Sequence, residues 1–253
     1  MRCIGIIPAR FQSSRFPGKP LCRIGGKTMI ERVYTQVRKV GRLEKVIVAT
    51  DHPDIAACVE AFGGEVRMTS ENHRSGTDRC AEVFQSLVPV FSPEESVVIN
   101  IQGDEPFIQP GQVEEIIACM EECRAPIATL LQPLSRAEDI ANPNVVKCVR
   151  SLGGMALYFS RYAIPYLRGG QPDGLVFYKH IGMYAYRGDV LQQLVRLPQS
   201  VLEKAESLEQ LRWLENDFRI ATRITAYESS IAIDTPEDLE RAVRYEQQIS
   251  SQS

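Results

Sequence analysis

"IIPARFQSSRFPGKPLCRIGGKT" occupies residues 6–28. Gly26, Lys27 and Thr28 supply the last three places of the phosphate cradle G-x-x-x-x-G-K-[ST], but its opening glycine would have to stand where the chain has Leu21. A mononucleotide P-loop is therefore excluded. A dinucleotide fingerprint is excluded as well, because "IIPARFQSS" contains no glycine after the first apolar run. What remains is a short apolar run, then a polar loop carrying Arg10, Ser13, Ser14, Arg15 and Lys19, then a helix. Backbone N–H groups in such a loop, joined by guanidinium and ammonium donors, form an anion site suited to a polyphosphate. A solvated charged turn is the alternative, and the loop's place directly after a strand favours binding.

Outward from this stretch, strand-like and helix-like patterns alternate. "CIGIIP" (3–8), "KVIVAT" (45–50) and "SVVINIQ" (96–102) read as buried strands, with "EVRM" (65–68) as a short one. "TMIERVYTQVRKV" (28–40) puts Met29, Ile30, Val33, Val37 and Val40 on one helical face, and 52–64, 76–88 and 111–123 read as further helices. This alternation predicts an α/β fold with a mostly parallel central sheet and helices on both faces. From about residue 125 the pattern changes to strands at 127–132, 145–149, 155–159 and 181–187, an inserted antiparallel lobe. A helix at about 206–218 containing Trp213, a strand at 223–229 and a closing helix at 235–249 follow, with "SSQS" as a frayed tail. The expected organisation is a single domain over 1–253 with a substrate and dimerisation lobe at about 125–220.

Composition bounds the function. The 253 residues are 44% apolar and 24% charged, ordinary for a globular protein with a well-buried core. A net charge of −3 argues against nucleic-acid binding. Seven cysteines without a C-x-x-C pair read as reduced thiols of a cytoplasmic protein, and no histidine pair accompanies Cys119 and Cys123 to make a zinc site. The apolar stretch near the N-terminus is too short for a signal-peptide core, and no run approaches the roughly 20 apolar residues of a membrane helix, so no membrane insertion is expected.

In an open α/β sheet the ligand lies beyond the carboxyl ends of the strands. There "QGDEP" (102–106) presents Asp104, a candidate ligand for a hard cation such as Mg²⁺ or an ordinary turn residue; the segment alone leaves both open. In "IAIDTPEDL" (231–239) Thr235 is a competent N-cap before Pro236, so Asp234 is spare and becomes a partner for Asp104, with an Asx-turn as the alternative. Asp51 in "ATDHPDI" looks similar but is expected nearer a helix cap. "ENHRSGTDR" (71–79) is a polar loop able to lie against a planar base, and "YKHIGMYAYR" (178–187) places His180, Gly182, Tyr184 and Tyr186 on one strand face.

Taken together, "IIPARFQSSRFPGKPL", "HRSGTDRCAE", "VVINIQGDEPFI", "KHIGMYAYR", "LEQLR" and "IDTPEDLERA" resemble the 3-deoxy-manno-octulosonate cytidylyltransferases across nearly the whole chain. The opening block alone is shared with other sugar cytidylyltransferases; the combination is specific. The resemblance implies the Rossmann-like nucleotide-diphospho-sugar transferase fold. It implies transfer of CMP from CTP to the anomeric hydroxyl of 3-deoxy-D-manno-octulosonate (Kdo), releasing pyrophosphate, for lipopolysaccharide biosynthesis. It implies Mg²⁺ as cofactor and a homodimer built through the lobe around "MALYFSRYAIPY". Carried over by position, Arg10, Lys19, Asp104 and Asp234 are catalytic, and Asp104 and Asp234 hold the metal. Arg10, Ser13, Arg15, Lys19, Arg74, Ser75, Gly76 and Asp104 bind CTP, and Gln102, Arg161, His180, Tyr184, Glu209 and Gln210 surround Kdo. Ala232 stands where the family pattern leads one to expect glycine, which leaves Asp234 in place.

Three rivals are weighed against this. A CMP-sialate or other sugar-acid cytidylyltransferase shares the opening loop but not the full later set. A nucleotide-sugar glycosyltransferase typically carries a D-x-D motif, which the chain lacks. A nucleotide-binding protein without activity is disfavoured by the joint presence of Arg10, Lys19, Asp104 and Asp234.

Overall fold

A computed structural model describes residues 1–12, 16–228 and 231–251. The amino-terminal half runs β1 (Arg2–Ala9), the short pair β2 (Arg23–Ile24) and β3 (Lys27–Thr28), α1 (Met29–Val37), β4 (Leu43–Thr50), α2 (Pro53–Ala61), β5 (Glu65–Met68), α3 (Gly76–Leu87), β6 (Ser96–Asn100) and α4 (Pro110–Cys123). Then come β7 (Ile127–Leu134), α5 (Ala137–Ala141), β8 (Lys147–Arg150), β9 (Ala156–Ser160), β10 (Phe177–Arg187), α6 (Gly188–Leu194), α7 (Val201–Glu206), α8 (Glu209–Glu215), β11 (Ile220–Ile224) and α9 (Pro236–Ser250).

The central sheet has the order β11-β7-β10-β6-β1-β4-β5. Neighbours among β6, β1, β4 and β5 run parallel, as do β7 and β11, while β10 is antiparallel to both β6 and β7. β8 pairs with β10 and with β9, carrying the antiparallel part away from the main sheet. The near-continuous apolar runs of β1 and β6 follow from burial on both faces. In β1, Cys3, Ile7 and Ala9 pack on one face with α1, α2 and α4, whereas Ile4 and Ile6 pack on the other with α3, α6 and α8. Met29, Ile30, Val33, Val37 and Val40, expected on one helical face, are all buried.

A third, smaller core matters most for the site. Phe107, just beyond Asp104, packs with Ile24, Met29, Ala242 of α9 and Ile233, the neighbour of Asp234. Arg32 of α1 and Glu246 of α9 form an ion pair at 2.9 Å over the same junction. Ile233 also donates its N–H to the Asp104 carbonyl at 2.9 Å. These contacts fold the carboxyl-terminal helix back against the front of the sheet.

Three sequence expectations are corrected. The helix expected at about 206–218 is shorter, α8 over Glu209–Glu215, and a separate helix, α7 (Val201–Glu206), precedes it, ended by Ser207 in a left-handed conformation (φ 52°). α6 follows β10 directly and was not anticipated. The strand at 223–229 lies earlier, at Ile220–Ile224, where Ile220 and Ala221 are buried beside β7; pairing ends as Thr225 donates to the Leu131 carbonyl. Ser229 and the last two residues of the tail lie outside the described residues.

Candidate active site

The carboxyl ends of β1 and β6, the start of α3 and the segment before α9 enclose a cleft of about 310 Å³. Arg10, Lys19, Arg74, Ser75, Gly76, Gln102, Asp104 and Asp234 all line it. Eight residues spread over the chain are thus brought to one cavity by strand ends and the third core. Ser13 and Arg15, expected beside them, lie outside the described residues.

The backbone is close-packed around this cleft. A Cβ on Gly103 would stand 2.6 Å from the Pro8 carbonyl oxygen, and one on Gly76 would stand 3.2 Å from the Pro8 ring. Gly18, at φ 68°, turns the chain into the single 3₁₀ turn Lys19–Leu21 and donates its N–H to the Phe11 carbonyl at 2.9 Å. The Phe11–Gly18 bond closes the basic loop at its base.

At the centre stands Lys19. Its Nζ donates to Asp104 Oδ2 at 2.7 Å, to Asp234 Oδ1 at 3.1 Å and to the Ile233 carbonyl at 3.1 Å. Burial works against the ammonium, but the two carboxylates outweigh it and raise its pKa above the ordinary lysine value. Lys19 is therefore charged. The Asp234 side chain is 43% exposed and that of Asp104 26%, so both carboxylates remain open to the cleft. Thr235 caps α9 by accepting from the Asp238 N–H, and Asp238 accepts from the N–H groups of Thr235 and Asp234. The Asp234 side chain is thus spared from capping, as expected.

Two converging carboxylates fit a divalent cation whose remaining ligands are phosphate oxygens and water, the usual arrangement for Mg²⁺. Among the described residues no group of three or more His, Cys, Asp or Glu side chains is poised to enclose a metal unaided. The donor set therefore suits an ion that arrives with a phosphate ligand.

At the start of α3, the Ser75 hydroxyl accepts from the Asp78 N–H, and the Asp78 carboxylate accepts from the N–H groups of Ser75 and Arg74. This reciprocal cap fixes the loop that carries Arg74. His73, which the sequence did not single out, also lines the cleft and is held by Glu82. A second cavity of about 680 Å³ shares His73, Arg74 and Ser75 with the first and reaches Glu209. Glu209 accepts from Thr77 Oγ1 at 2.8 Å and from Arg212 at 2.6 Å. Burial nevertheless raises its pKa above the usual carboxylate range.

The residues expected around a sugar acid divide. Gln102 lies in the first cleft and donates its amide to the Gly182 carbonyl at 2.6 Å, which leaves its own side-chain oxygen to accept. Arg161, His180, Tyr184 and Gln210 line neither cavity. Their side chains are engaged elsewhere: Arg161 donates to the carbonyls of Glu206, Pro143 and Ser207. Tyr184 packs edge-on to Trp213 at 4.9 Å, and Gln210 is buried. His180 contacts the Thr129 hydroxyl at 3.1 Å. That hydroxyl has one proton and gives it to a β10 carbonyl, so His180 Nε2 carries the hydrogen and donates. Burial lowers the His180 pKa to about 3 and keeps the ring neutral.

Asp51 is the clearest revision. His52, through Nδ1, caps α2 by accepting from the Asp54 N–H, and Asp51 instead pairs with Arg79. All seven cysteines are free thiols. No helix among the described residues is long and apolar enough to cross a membrane.

Residues 4–224 match the profile of the Cytidylyltransferase family. The chain is 51% identical over 253 residues to 3-deoxy-manno-octulosonate cytidylyltransferase of Parabacteroides distasonis, covering 97% of this chain and 98% of that one. It is 51% identical over 252 residues to the protein of the same name from Bacteroides thetaiotaomicron, covering 97% and 98%. A solved structure of CMP:2-keto-3-deoxy-manno-octonic acid synthetase complexed with CTP superposes with a TM-score of 0.91 at 43% identity, covering 98% and 100% of the two chains. 4-Diphosphocytidyl-2C-methyl-D-erythritol synthase from Anaerococcus prevotii shares the fold, with a TM-score of 0.62 at 16% identity over 97% and 99%. Fold and profile define the class, a cytidylyltransferase. The chain belongs to the family of 3-deoxy-manno-octulosonate cytidylyltransferases.

Proposed function

We propose that this cytidylyltransferase transfers CMP from CTP to the anomeric hydroxyl of Kdo, releasing pyrophosphate, with the chemistry centred on Lys19, Asp104 and Asp234. The observation that carries the site assignment is the meeting of these three side chains in one cleft, from positions 85 and 215 residues apart in the chain. The activity itself agrees with the family and with the CTP complex of the structural relative.

The hydroxyl oxygen attacks the α-phosphorus in line, the bond to the pyrophosphate oxygen breaks, and the hydroxyl proton passes to solvent. Such transfers depend on positioning and charge neutralisation more than on covalent participation. Arg10 supplies donors to the phosphates and Lys19 its positive charge, with Ser13 and Arg15 assigned to the same phosphates from the intervening sequence. Arg74, Ser75 and Gly76 form the cytosine side, fixed by the α3 cap. Mg²⁺, held by Asp104 and Asp234, supplies further neutralisation of the triphosphate when bound. Gln102 lines the first cavity and Glu209 the second, which meet at His73, Arg74 and Ser75, and both are assigned to the sugar acid. Arg161, His180, Tyr184 and Gln210 keep a supporting role, with His180 and Tyr184 flanking Gly182, the residue that orients the Gln102 amide.

The product would enter lipopolysaccharide assembly in the cytoplasm. A homodimer is assigned to the segment bearing the exposed Leu157, Tyr162 and Tyr166, and measurement of mass in solution tests it. The activity is tested by pyrophosphate release from CTP with Kdo, sialic acid and related ulosonates, with and without Mg²⁺. Release with Kdo and Mg²⁺ is expected; preference for another sugar acid, or turnover unaffected by chelation, would overturn the assignment.

A further inference from the structure

We propose that Asp51 is a positioning residue that locks the triphosphate loop to the loop on the cytosine side. Its carboxylate stands at the end of β4 with only 9% of the side chain exposed. One oxygen, Oδ1, accepts from the Phe11 backbone N–H at 3.1 Å, and the other accepts from Arg79 at 2.5 Å. Arg79, 4% exposed, spends further donors on Thr69 Oγ1 at 2.7 Å and on the Ser70 carbonyl at 3.1 Å. A single carboxylate therefore joins the peptide after Arg10 to the segment that leads into Arg74 and Ser75.

Phe11 is held on every side. Its N–H is on Asp51, its ring stacks on His52 with centroids 3.9 Å apart, and its carbonyl accepts from Gly18 beside Lys19. Fixing this residue fixes both ends of the basic loop, because Arg10 precedes it and the Gly18 bond sets the turn from which Lys19 projects. Stability alone is a weak reason for such a pair, since a buried ion pair is about as stable as an apolar replacement of the same shape. Preorganised donors, by contrast, gain from being held before a charged ligand arrives.

The inference rests on the assignment of the triphosphate to this loop. CTP and CMP share the base and sugar and differ in the two outer phosphates, so their affinities separate the two sides of the cleft. In the Asp51→Ala variant Arg79 keeps Thr69 and Ser70 but loses its ion-pair partner, and the Phe11 N–H loses its acceptor while the His52 stack and the Gly18 bond remain. CTP affinity and turnover are each expected to fall about tenfold or more, the scale of a lost charge-assisted hydrogen bond, with CMP affinity within about threefold of wild type. Asp51→Asn, whose amide oxygen still accepts from Phe11 although its NH₂ then faces the Arg79 donors, should recover part of the CTP loss, and its CTP-to-CMP affinity ratio is the test should the alanine variant fail to fold. A lowered melting temperature with an unchanged CTP-to-CMP affinity ratio in both variants would overturn the proposal. Equal affinities of the wild-type protein for CTP and CMP would instead overturn the phosphate assignment beneath it.

Discussion

Replacing Lys19 with methionine removes the ammonium that stands between Asp104 and Asp234. The two carboxylate oxygens each lie within 3.1 Å of the same nitrogen. They are therefore at most about 6 Å apart, where two like charges repel by about 3 kcal/mol at an effective dielectric of about 20 and by under about 1 kcal/mol in water. With Asp234 43% exposed, solvent screening favours the lower figure, about 1 kcal/mol. Methionine also relieves the burial of an ammonium, which offsets part of this. A fall of about 2–4 °C in melting temperature at neutral pH without divalent ions is the upper expectation. The diagnostic is the response to Mg²⁺ in the absence of CTP, read by thermal unfolding. Mg²⁺ should restabilise the variant more than NaCl of equal ionic strength, and should move the wild type less, because Lys19 already offsets one of the two charges and stands between the carboxylates. A variant indifferent to Mg²⁺ both without CTP and at saturating CTP would refute the reading of these carboxylates as a cation site.

Asp104→Ala should keep the fold while turnover falls by about three powers of ten, the scale of lost charge stabilisation; near-normal turnover at saturating Mg²⁺ would remove Asp104 from the mechanism. Gly103→Ala forces a methyl group against the Pro8 carbonyl, so a loss of about 1–3 kcal/mol by denaturant unfolding is expected, with reduced activity. His180 gives a pH signature. Its folded pKa of about 3 lies below its ordinary 6.5, so the unfolded chain binds the extra proton between those values and stability falls as pH drops through 6.5. Each unit below 6.5 costs about 1.4 kcal/mol from this group, about 2 kcal/mol by pH 5, and His180→Gln should flatten that part of the profile; an unchanged slope would refute it.

The parts of the fold that the sequence made legible are those where one local signal sufficed. The apolar runs of β1 and β6 announce strands covered on both faces, and Thr235-Pro236 with Asp238 announces the start of α9. The meeting of Asp104 and Asp234 was reachable because one follows a strand end and the other precedes a capped helix start, the places where a crevice forms; Lys19 was expected on the phosphates, and its bonds to both carboxylates were not legible. Asp51 was not legible, because a carboxylate before a helix reads equally as a cap or as an ion, and its partner Arg79 lies 28 residues away. The break at Ser207 depends on a left-handed serine, which no turn signal marks. Period-two spacing put His180 and Tyr184 on one face of β10 without revealing that α8, through Trp213, covers Tyr184 there.

The position of β10 has an evolutionary consequence. The lobe over 127–215, which carries Glu209 of the proposed acceptor site, is contiguous in sequence, yet its strand β10 pairs with β6, so that the amino-terminal half of the sheet depends on it for a neighbour. Acceptor preference in such a scaffold cannot be transplanted as a cassette, because excising 127–215 would strip β6 of a neighbour and open the crevice behind Asp104. New acceptors are more readily reached by point changes on a retained strand, and a lineage of these enzymes would diversify by retouching side chains rather than by trading modules.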